Sequence, residues 1–212
     1  GADLGAEKFL DIKCRMAGLV PDAVVIVATV RALKMHGGLD KKSLGEENLS
    51  ALEKGIPNLL RHVSNIKNVY KLPCVVAVNR FPTDTDAEID FIMAKCRELG
   101  VNTVLSTVWA DGGKGGEALA KEVVRLCEHE HGDFTFAYED NLSIKDKINA
   151  VVTKIYGGKD VAFTKNAQKF TAERALHFCL LRKSRSRSWS SSASAYALSA
   201  LQKRSTAFPT IR

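Results

Sequence analysis

Three short runs of β-branched and apolar residues constrain the fold of this chain more than any other feature. They span residues 23–30 (AVVIVATV), 74–81 (CVVAVNRF) and 103–110 (TVLSTVWA). Each run is apolar at consecutive positions rather than at alternate ones, which is typical of strands that are covered on both faces. Such strands occur in parallel sheets, so the sequence predicts three parallel strands between layers of helices.

Helical patterns separate and follow the predicted strands. Apolar residues recur at helical spacing over 46–69, 84–99 and 117–129, and a fourth helix is predicted over 141–155 with Ser143 as its cap. Alternation of strands and helices indicates an α/β fold with a doubly wound, mostly parallel sheet.

Length and composition exclude several classes of protein. With 212 residues the chain can form one large α/β domain or two small ones. No apolar run approaches the roughly 18 residues of a membrane helix, and the first residues lack the pattern of a secretory signal. The five cysteines have neither C-x-x-C spacing nor zinc-ligand spacing to histidines, so we interpret them as packing residues and predict no metal site. We therefore expect a soluble protein of a reducing compartment, the cytoplasm.

The net charge of +7 resides in the last part of the chain. Residues 171–212 carry eight Lys/Arg and one Asp/Glu, whereas residues 1–170 carry 23 of each sign. The first part therefore gives no charge-based argument for nucleic-acid binding. After about Arg182 the sequence becomes rich in Ser, Arg and Ala, a composition that favours disorder or a loose helix. We accordingly divide the chain into a region 1–170 and an atypical basic tail 171–212.

Cationic, aromatic and glycine residues lie at the ends of the three predicted strands. The first strand is followed by Arg31, Lys34 and His36, the second ends at Phe81, and the third reaches Trp109 before a GGKGG loop. Ligands bind beyond the carboxyl ends of parallel strands, so these residues are candidates for one binding site.

Each of these features also has a simpler interpretation. Arg31 and Lys34 could form the solvated start of a helix, and Phe81 and Trp109 could belong to the core. The glycine loop could be a flexible turn, since it lacks the spacing of a phosphate-binding P-loop. Considered together, two aromatic rings at strand ends predict a slot for a flat heterocycle, and the cations suit an anion beside it. The sequence thus predicts a ligand with a ring and negative charge.

Five blocks of sequence carry a resemblance to a known family. They are GADLGAEKF, VATVRALKMHGG, GEENLSALEKGIPNLLRHV, VVAVNRFPTDTDAEI and KIYGG, in this order between Gly1 and Lys169. These blocks resemble the formate-tetrahydrofolate ligases, also called formyltetrahydrofolate synthetases. The resemblance implies a sheet of the P-loop NTPase-like type and an enzyme that makes 10-formyltetrahydrofolate from formate, ATP and tetrahydrofolate. ATP would phosphorylate formate, and N10 of tetrahydrofolate would attack the resulting formyl phosphate.

The resemblance also implies cofactors and partners. ATP with Mg²⁺, and a monovalent cation, would accompany formate and tetrahydrofolate. The parent enzyme would be a cytoplasmic homo-oligomer with no membrane or nucleic-acid partner.

Site residues are implied in the same way. Phe81 and Trp109 would sandwich the pterin ring of tetrahydrofolate, with Leu105 on the wall of the site. The candidate catalytic residues share the VATVRALKMHGG block and are Arg31, Lys34 and His36. We hypothesise that Arg31 or Lys34 holds phosphate or the glutamate tail of the folate.

The GADLGAEKF block contributes further candidates. The resemblance places Asp3, Glu7 and Lys8 close to the active site, and we count Asp3 and Lys8 as candidate substrate-binding residues. An ion pair within a helix is the alternative explanation for Glu7.

The chain departs from the family pattern at both ends. The family carries its P-loop before the GADLGAEKF block, and after the equivalent of Lys169 it continues with blocks that residues 171–212 do not resemble. We therefore expect an internal fragment that is inactive alone, with a tail that is either read out of frame or a real segment. The alternative function is a module that binds RNA or an acidic partner through the Arg/Ser-rich tail.

Overall fold

A computed structural model describes residues 5–173, and these divide into two compact units. The larger unit comprises residues 21–135, and the smaller comprises residues 5–20 and 136–173. Asp3 and nearly all of the basic tail lie outside the described residues, as do the predictions of disorder and RNA binding made for that tail. Within 5–173 no helix is long and apolar enough to cross a membrane.

The larger unit contains a three-stranded parallel sheet. Its strands are β1 (Val24–Ala28), β2 (Cys74–Asn79) and β3 (Thr103–Ser106), in the spatial order β1-β2-β3. Val24 is paired with Cys74, and Val76 with Thr103. The three predicted strands, their parallel arrangement and the α/β class are thereby confirmed.

Helices account for most of the remaining described residues. In chain order they are α1 (Arg15–Ala17), α2 (Val30–His36), α3 (Leu49–Ser64), α4 (Asp86–Glu98), α5 (Val108–Asp111), α6 (Glu117–His129) and α7 (Ile144–Ala150). Wider π-helical turns lead into α1 over Lys8–Cys14 and extend α3 and α7 over Asn65–Val69 and Val151–Ile155. Short 3₁₀ turns occupy Lys41–Ser43 and Gly112–Gly116, and residues 165–173 are helical.

The four predicted helices are confirmed, and so is the predicted cap. Ser143 Oγ accepts a hydrogen bond from the N–H of Asp146 (3.1 Å), and α7 begins at Ile144, directly after Ser143. Helix α3 begins later than predicted because Asn48 caps it, accepting from the N–H of Ala51 (2.8 Å). Side-chain acceptors at these positions satisfy N–H groups that have no partner within the helix.

The prediction that all three strands are covered on both faces is wrong for β1. Val25 and Val27 are 40% and 62% exposed, whereas residues 74–78 of β2 are buried. Strand β1 lies at the edge of the sheet and β2 at its centre. The central strand therefore has protein on both faces, while one face of the edge strand is open.

Helix α2 packs closely on α3 through glycine. A Cβ built on Gly55 of α3 would overlap the backbone carbonyl of Leu33 in α2. A Cβ built on Gly37 would likewise overlap the carbonyl of Ala51. Because both contacts involve backbone atoms, they fix the distance between the two helices and hence the position of α2 after β1.

The smaller unit is organised around Arg15. Its guanidinium lies 3.8 Å from the ring centroid of Phe136 and 5.0 Å from that of Tyr138. It also donates to the carbonyl of Tyr138 (2.6 Å), and Asp11 accepts from the N–H of Ala137 (2.8 Å). Cation–π contacts and hydrogen bonds thus tie the helical segment before Gly18 to the chain after Thr135.

Candidate functional site

The carboxyl ends of the three parallel strands lie at one edge of the sheet, which we call the strand-end edge. Most predicted site residues of the larger unit lie just beyond it. Helix α2 carries Arg31, Lys34 and His36, the segment after β2 carries Phe81, and α5 carries Trp109. The sequence predicted longer strands, but β1 ends at Ala28 and β3 at Ser106, and a single residue separates each strand from the helix that follows it.

Phe81 and Trp109 lie side by side at the strand-end edge. Their ring centroids are 6.4 Å apart and their planes are inclined by 45°, which is within the range of a direct aromatic contact. Trp109 is 64% exposed, and Phe81 is half-buried. Leu105 is half-buried in β3, where it pairs with Val78. The structure thus brings the two rings together, and their binding of a pterin stays a prediction.

The spacing of the two rings limits how they could hold a ligand. A flat ring between two parallel rings needs about 7 Å between them, twice a stacking distance of about 3.5 Å. The observed pair is closer than that and tilted. A ligand ring could therefore enter only if a side chain rotated, and Trp109 is the more exposed of the two.

The glycine loop after Trp109 folds back onto the start of α5. The N–H of Thr107 donates to the carbonyl of Gly115 (3.2 Å), and the N–H of Asp111 donates to the carbonyl of Thr107 (2.9 Å). The GGKGG segment is a 3₁₀ turn held in this way. The GGKGG segment therefore stabilises the turn that carries Trp109 and does not have the conformation of a phosphate-binding P-loop.

Lys34 is fully buried in an ion pair with Glu88. Its Nζ lies 2.9 Å from Glu88 Oε1 and donates to the carbonyl of Glu46 (2.8 Å). The Glu88 carboxylate also accepts from the N–H groups of Asn48 (2.9 Å) and Thr85 (3.3 Å). Burial raises the pKa of Glu88, but the Lys34 ammonium and these two N–H donors outweigh burial and hold it below its ordinary value.

Arg31 and His36 occupy different surroundings on the same helix. Arg31 is exposed, and its charge acts on the nearby carboxylate of Asp84. His36 is half-buried, with Nε2 3.2 Å from Nδ2 of Asn58. Arg31 is therefore open to a ligand at this edge, and the catalytic roles of both residues stay predictions.

The candidates of the GADLGAEKF block belong to the smaller unit where they are described. Lys8 is exposed, and Glu7 is buried. Burial raises the pKa of Glu7, and the charge of Asp11 adds to that effect. The proposed roles of Asp3 and Lys8 in substrate binding stay predictions.

Comparison with protein families identifies the chain. A sequence profile of the family described as Formate–tetrahydrofolate ligase matches residues 1–177. The chain belongs to the formate-tetrahydrofolate ligase family. The match includes every described residue of both units, the paired rings among them, and it confirms the resemblance carried by the five blocks.

The described part of this ligase-family chain offers no cluster for a metal ion. Within 5–173 no group of three or more His, Cys, Asp or Glu residues is arranged to hold one. We assign no chemical step to a metal ion here.

A buried carboxylate that sequence reasoning missed lies beside Phe81. Asp84 Oδ2 accepts from the N–H of Phe81 (2.8 Å), and the N–H of Asp84 donates to the carbonyl of Phe81 (3.0 Å). Its Oδ1 is buried and has no hydrogen-bond partner among the described residues. Burial raises the pKa of Asp84, and the charge of Glu88 adds to the rise. The Phe81 N–H and the charges of Lys34 and Arg31 oppose it.

Replacing Asp84 by Asn is expected to change how stability depends on pH. A raised pKa means that folding favours the protonated carboxyl, so this contribution is complete below the ordinary pKa and is lost as pH rises through the raised one. Asn keeps an oxygen for the Phe81 N–H but carries no charge. The stability of the Asp84→Asn variant relative to wild type should therefore increase as the pH rises above the ordinary pKa of an aspartate, as measured by urea unfolding.

The Asp86→Asn variant controls for the loss of a negative charge, since Asp86 is exposed two residues further along. A stability difference between Asp84→Asn and wild type that stays constant with pH would contradict the effect of burial on Asp84.

Glu88 was also missed, although a local signal for it exists. Thr85 and Glu88 fit the pattern of a capping box, and Thr85 Oγ1 accepts from the N–H of Glu88 (3.3 Å). That pattern would have located the cap of α4. It could not have indicated the pairing with Lys34, which is distant in sequence.

Proposed function

We propose that this chain provides the tetrahydrofolate-binding slot of a formate-tetrahydrofolate ligase. The observation that carries the proposal is the pairing of Phe81 with Trp109, 6.4 Å apart at the strand-end edge of a chain of this family. A pterin is a flat heterocycle, and two aromatic faces can stack on both of its sides. The exposure of Trp109 supports this role because it gives the ring room to rotate.

The proposed reaction makes 10-formyltetrahydrofolate from formate, ATP and tetrahydrofolate. ATP phosphorylates formate, and N10 of tetrahydrofolate then attacks the carbonyl carbon of formyl phosphate and releases phosphate. Such steps depend on positioning and on cations around the phosphate oxygens. Arg31 is our candidate for the phosphate or the glutamate tail because it is exposed beyond β1, whereas the ammonium of Lys34 is buried against Glu88.

Further features of the proposal follow from family membership. We propose that the three strands belong to a doubly wound sheet of the P-loop NTPase-like type. We also propose ATP with Mg²⁺ as the phosphoryl donor, a monovalent cation, and a cytoplasmic homo-oligomer.

The Trp109→Ala variant tests the proposed slot. Loss of one stacking face should weaken tetrahydrofolate binding by roughly 1 to 3 kcal/mol, by analogy with bases stacked on aromatic side chains. Isothermal titration calorimetry of the chain with tetrahydrofolate under anaerobic conditions measures this loss directly and does not require turnover.

Two further variants make the test specific. Trp109→Phe keeps an aromatic face and should retain most of the affinity. Val124→Ala removes an exposed apolar side chain from α6 and should bind as wild type does. Undiminished binding by Trp109→Ala would place the folate elsewhere.

A further inference from the structure

The geometry points to a positioning role for the buried Lys34–Glu88 ion pair: it fixes the segment that presents Phe81 to Trp109. Lys34 then acts through Glu88 and the start of α4 and makes no contact with substrate. The part of this inference that concerns tetrahydrofolate rests on the proposed function.

Lys34 is shielded from solvent, and two of the three N–H donors of its ammonium already have partners in this arrangement. Both side chains of the pair are completely buried, and Nζ already has Glu88 Oε1 at 2.9 Å and the Glu46 carbonyl at 2.8 Å. Turning the ammonium towards a ligand would leave the Glu88 carboxylate buried without its counter-charge. A buried charge that loses its partner is strongly unfavourable, so the pair is a fixed element of the fold.

Glu88 transmits this fixed position to the start of α4. Its Oε2 accepts from the N–H of Thr85 (3.3 Å), and its own N–H donates to Thr85 Oγ1 (3.3 Å). Oε1 accepts from the N–H of Asn48, the residue that caps α3. One carboxylate therefore joins α2, the start of α3 and the start of α4.

The contacts continue from Thr85 to the aromatic slot. Asp84 precedes Thr85 and holds both backbone polar groups of Phe81, its N–H at 2.8 Å and its carbonyl at 3.0 Å. The backbone of Phe81 is thus set by Asp84, which is itself placed by the capped end of α4. An unbroken series of hydrogen bonds and adjacent residues links Lys34 to Phe81.

The distance between the Phe81 and Trp109 rings leaves little room for a change in the position of Phe81. The rings of Phe81 and Trp109 are already slightly closer than a sandwiched ring requires. A shift of about 1 Å at a site of this kind can change binding and rate severely. Loss of the ion pair should therefore shift Phe81 and thereby weaken the binding of tetrahydrofolate.

A double-mutant cycle on the whole 212-residue chain tests this inference. Its variants are Lys34→Met, Glu88→Gln and the double variant. The matched controls are variants of Lys95 and Glu98, a partly exposed ion pair on α4, the helix that carries Glu88. That pair has the same 2.9 Å separation, and its variants are Lys95→Met and Glu98→Gln. The readouts are tetrahydrofolate affinity by calorimetry and the nuclear Overhauser effect between the Phe81 and Trp109 rings. Both readouts are recorded only for variants that circular dichroism shows to be folded.

Each single variant should raise the tetrahydrofolate dissociation constant roughly tenfold and weaken the Phe81–Trp109 signal. The double variant should lose no more than the worse single variant, because both changes break one series of contacts. The Lys95 and Glu98 variants should match wild type in both readouts. If a single variant does not fold, the double variant, which leaves no unpaired charge, is compared with wild type alone.

Three results would overturn the inference. One is a loss of affinity in Lys34→Met with wild-type binding in Glu88→Gln, which would show direct contact of Lys34 with the ligand. Another is additive losses in the double variant. The third is that folded variants of Lys34 and Glu88 keep both the affinity for tetrahydrofolate and the contact between the Phe81 and Trp109 rings. The ion pair would then contribute to stability alone. If wild type itself binds no tetrahydrofolate, the proposed function fails, and the ring signal still tests positioning.

Discussion

The Glu88→Ala variant is expected to unfold with a free energy about 3 to 5 kcal/mol lower than that of wild type. The change leaves the Lys34 ammonium buried without a carboxylate. It also removes the acceptor for the N–H groups of Asn48 and Thr85. Each of these partly buried donors that loses its partner adds to the cost of the unpaired charge. Urea unfolding at neutral pH, followed by circular dichroism, measures the loss.

Its control is Glu98→Ala, which removes a carboxylate at the same 2.9 Å from a lysine on the same helix. Glu98 and Lys95 are partly exposed, and solvent screens such a pair, so this variant should lose less than about 1 kcal/mol. Equal losses in the two variants would show that burial does not set the strength of the Lys34–Glu88 interaction.

The strands could be predicted because their signal is local. Consecutive β-branched residues mark β1, β2 and β3 whatever the rest of the chain does. The same property explains the error at the strand ends. Thr29 and Val30 resemble a continuing strand, but Thr29 caps α2 by accepting from the N–H of Ala32 (3.1 Å). A β-branched residue with a hydroxyl group is equally suited to end a strand and to start a helix.

The meeting of Phe81 and Trp109 could be predicted from topology alone. Strands β2 and β3 are adjacent and parallel, so residues that follow them lie at one edge. The ring separation and tilt could not be predicted, because they depend on local turns. Asp84 determines the backbone at Phe81, and the carbonyl of Gly115 holds Thr107 ahead of α5.

The surroundings of Lys34 could not be read from its own segment. A lysine and an arginine in one block predict two solvent-accessible cations, yet Arg31 is exposed and Lys34 is fully buried. The difference arises because Lys34 meets Glu88, which is distant in sequence. The open face of β1 has a similar origin, since its apolar pattern cannot show which faces other elements cover.

The Gly55→Ala variant is expected to destabilise the chain by about 3 kcal/mol, at the upper end for an overpacked site. A Cβ at this position would overlap the carbonyl of Leu33, a backbone atom that cannot rotate away. Helix α2 must therefore move from α3, and it would carry Arg31 and Lys34 with it. Urea unfolding measures the energetic cost, and amide chemical shifts of α2 report the displacement.

Helix propensity acts in the opposite direction and makes this result easier to interpret. Alanine is favoured over glycine inside a helix by about 1 kcal/mol, so a net loss in Gly55→Ala must come from the contact with α2. The control is Gly45→Ala, where the nearest atom to a new Cβ is Thr83 Cγ2 at 3.8 Å. That change should alter stability by less than about 0.5 kcal/mol. A Gly55→Ala variant as stable as wild type would show that the two helices can separate without cost, and that their close packing does not fix α2.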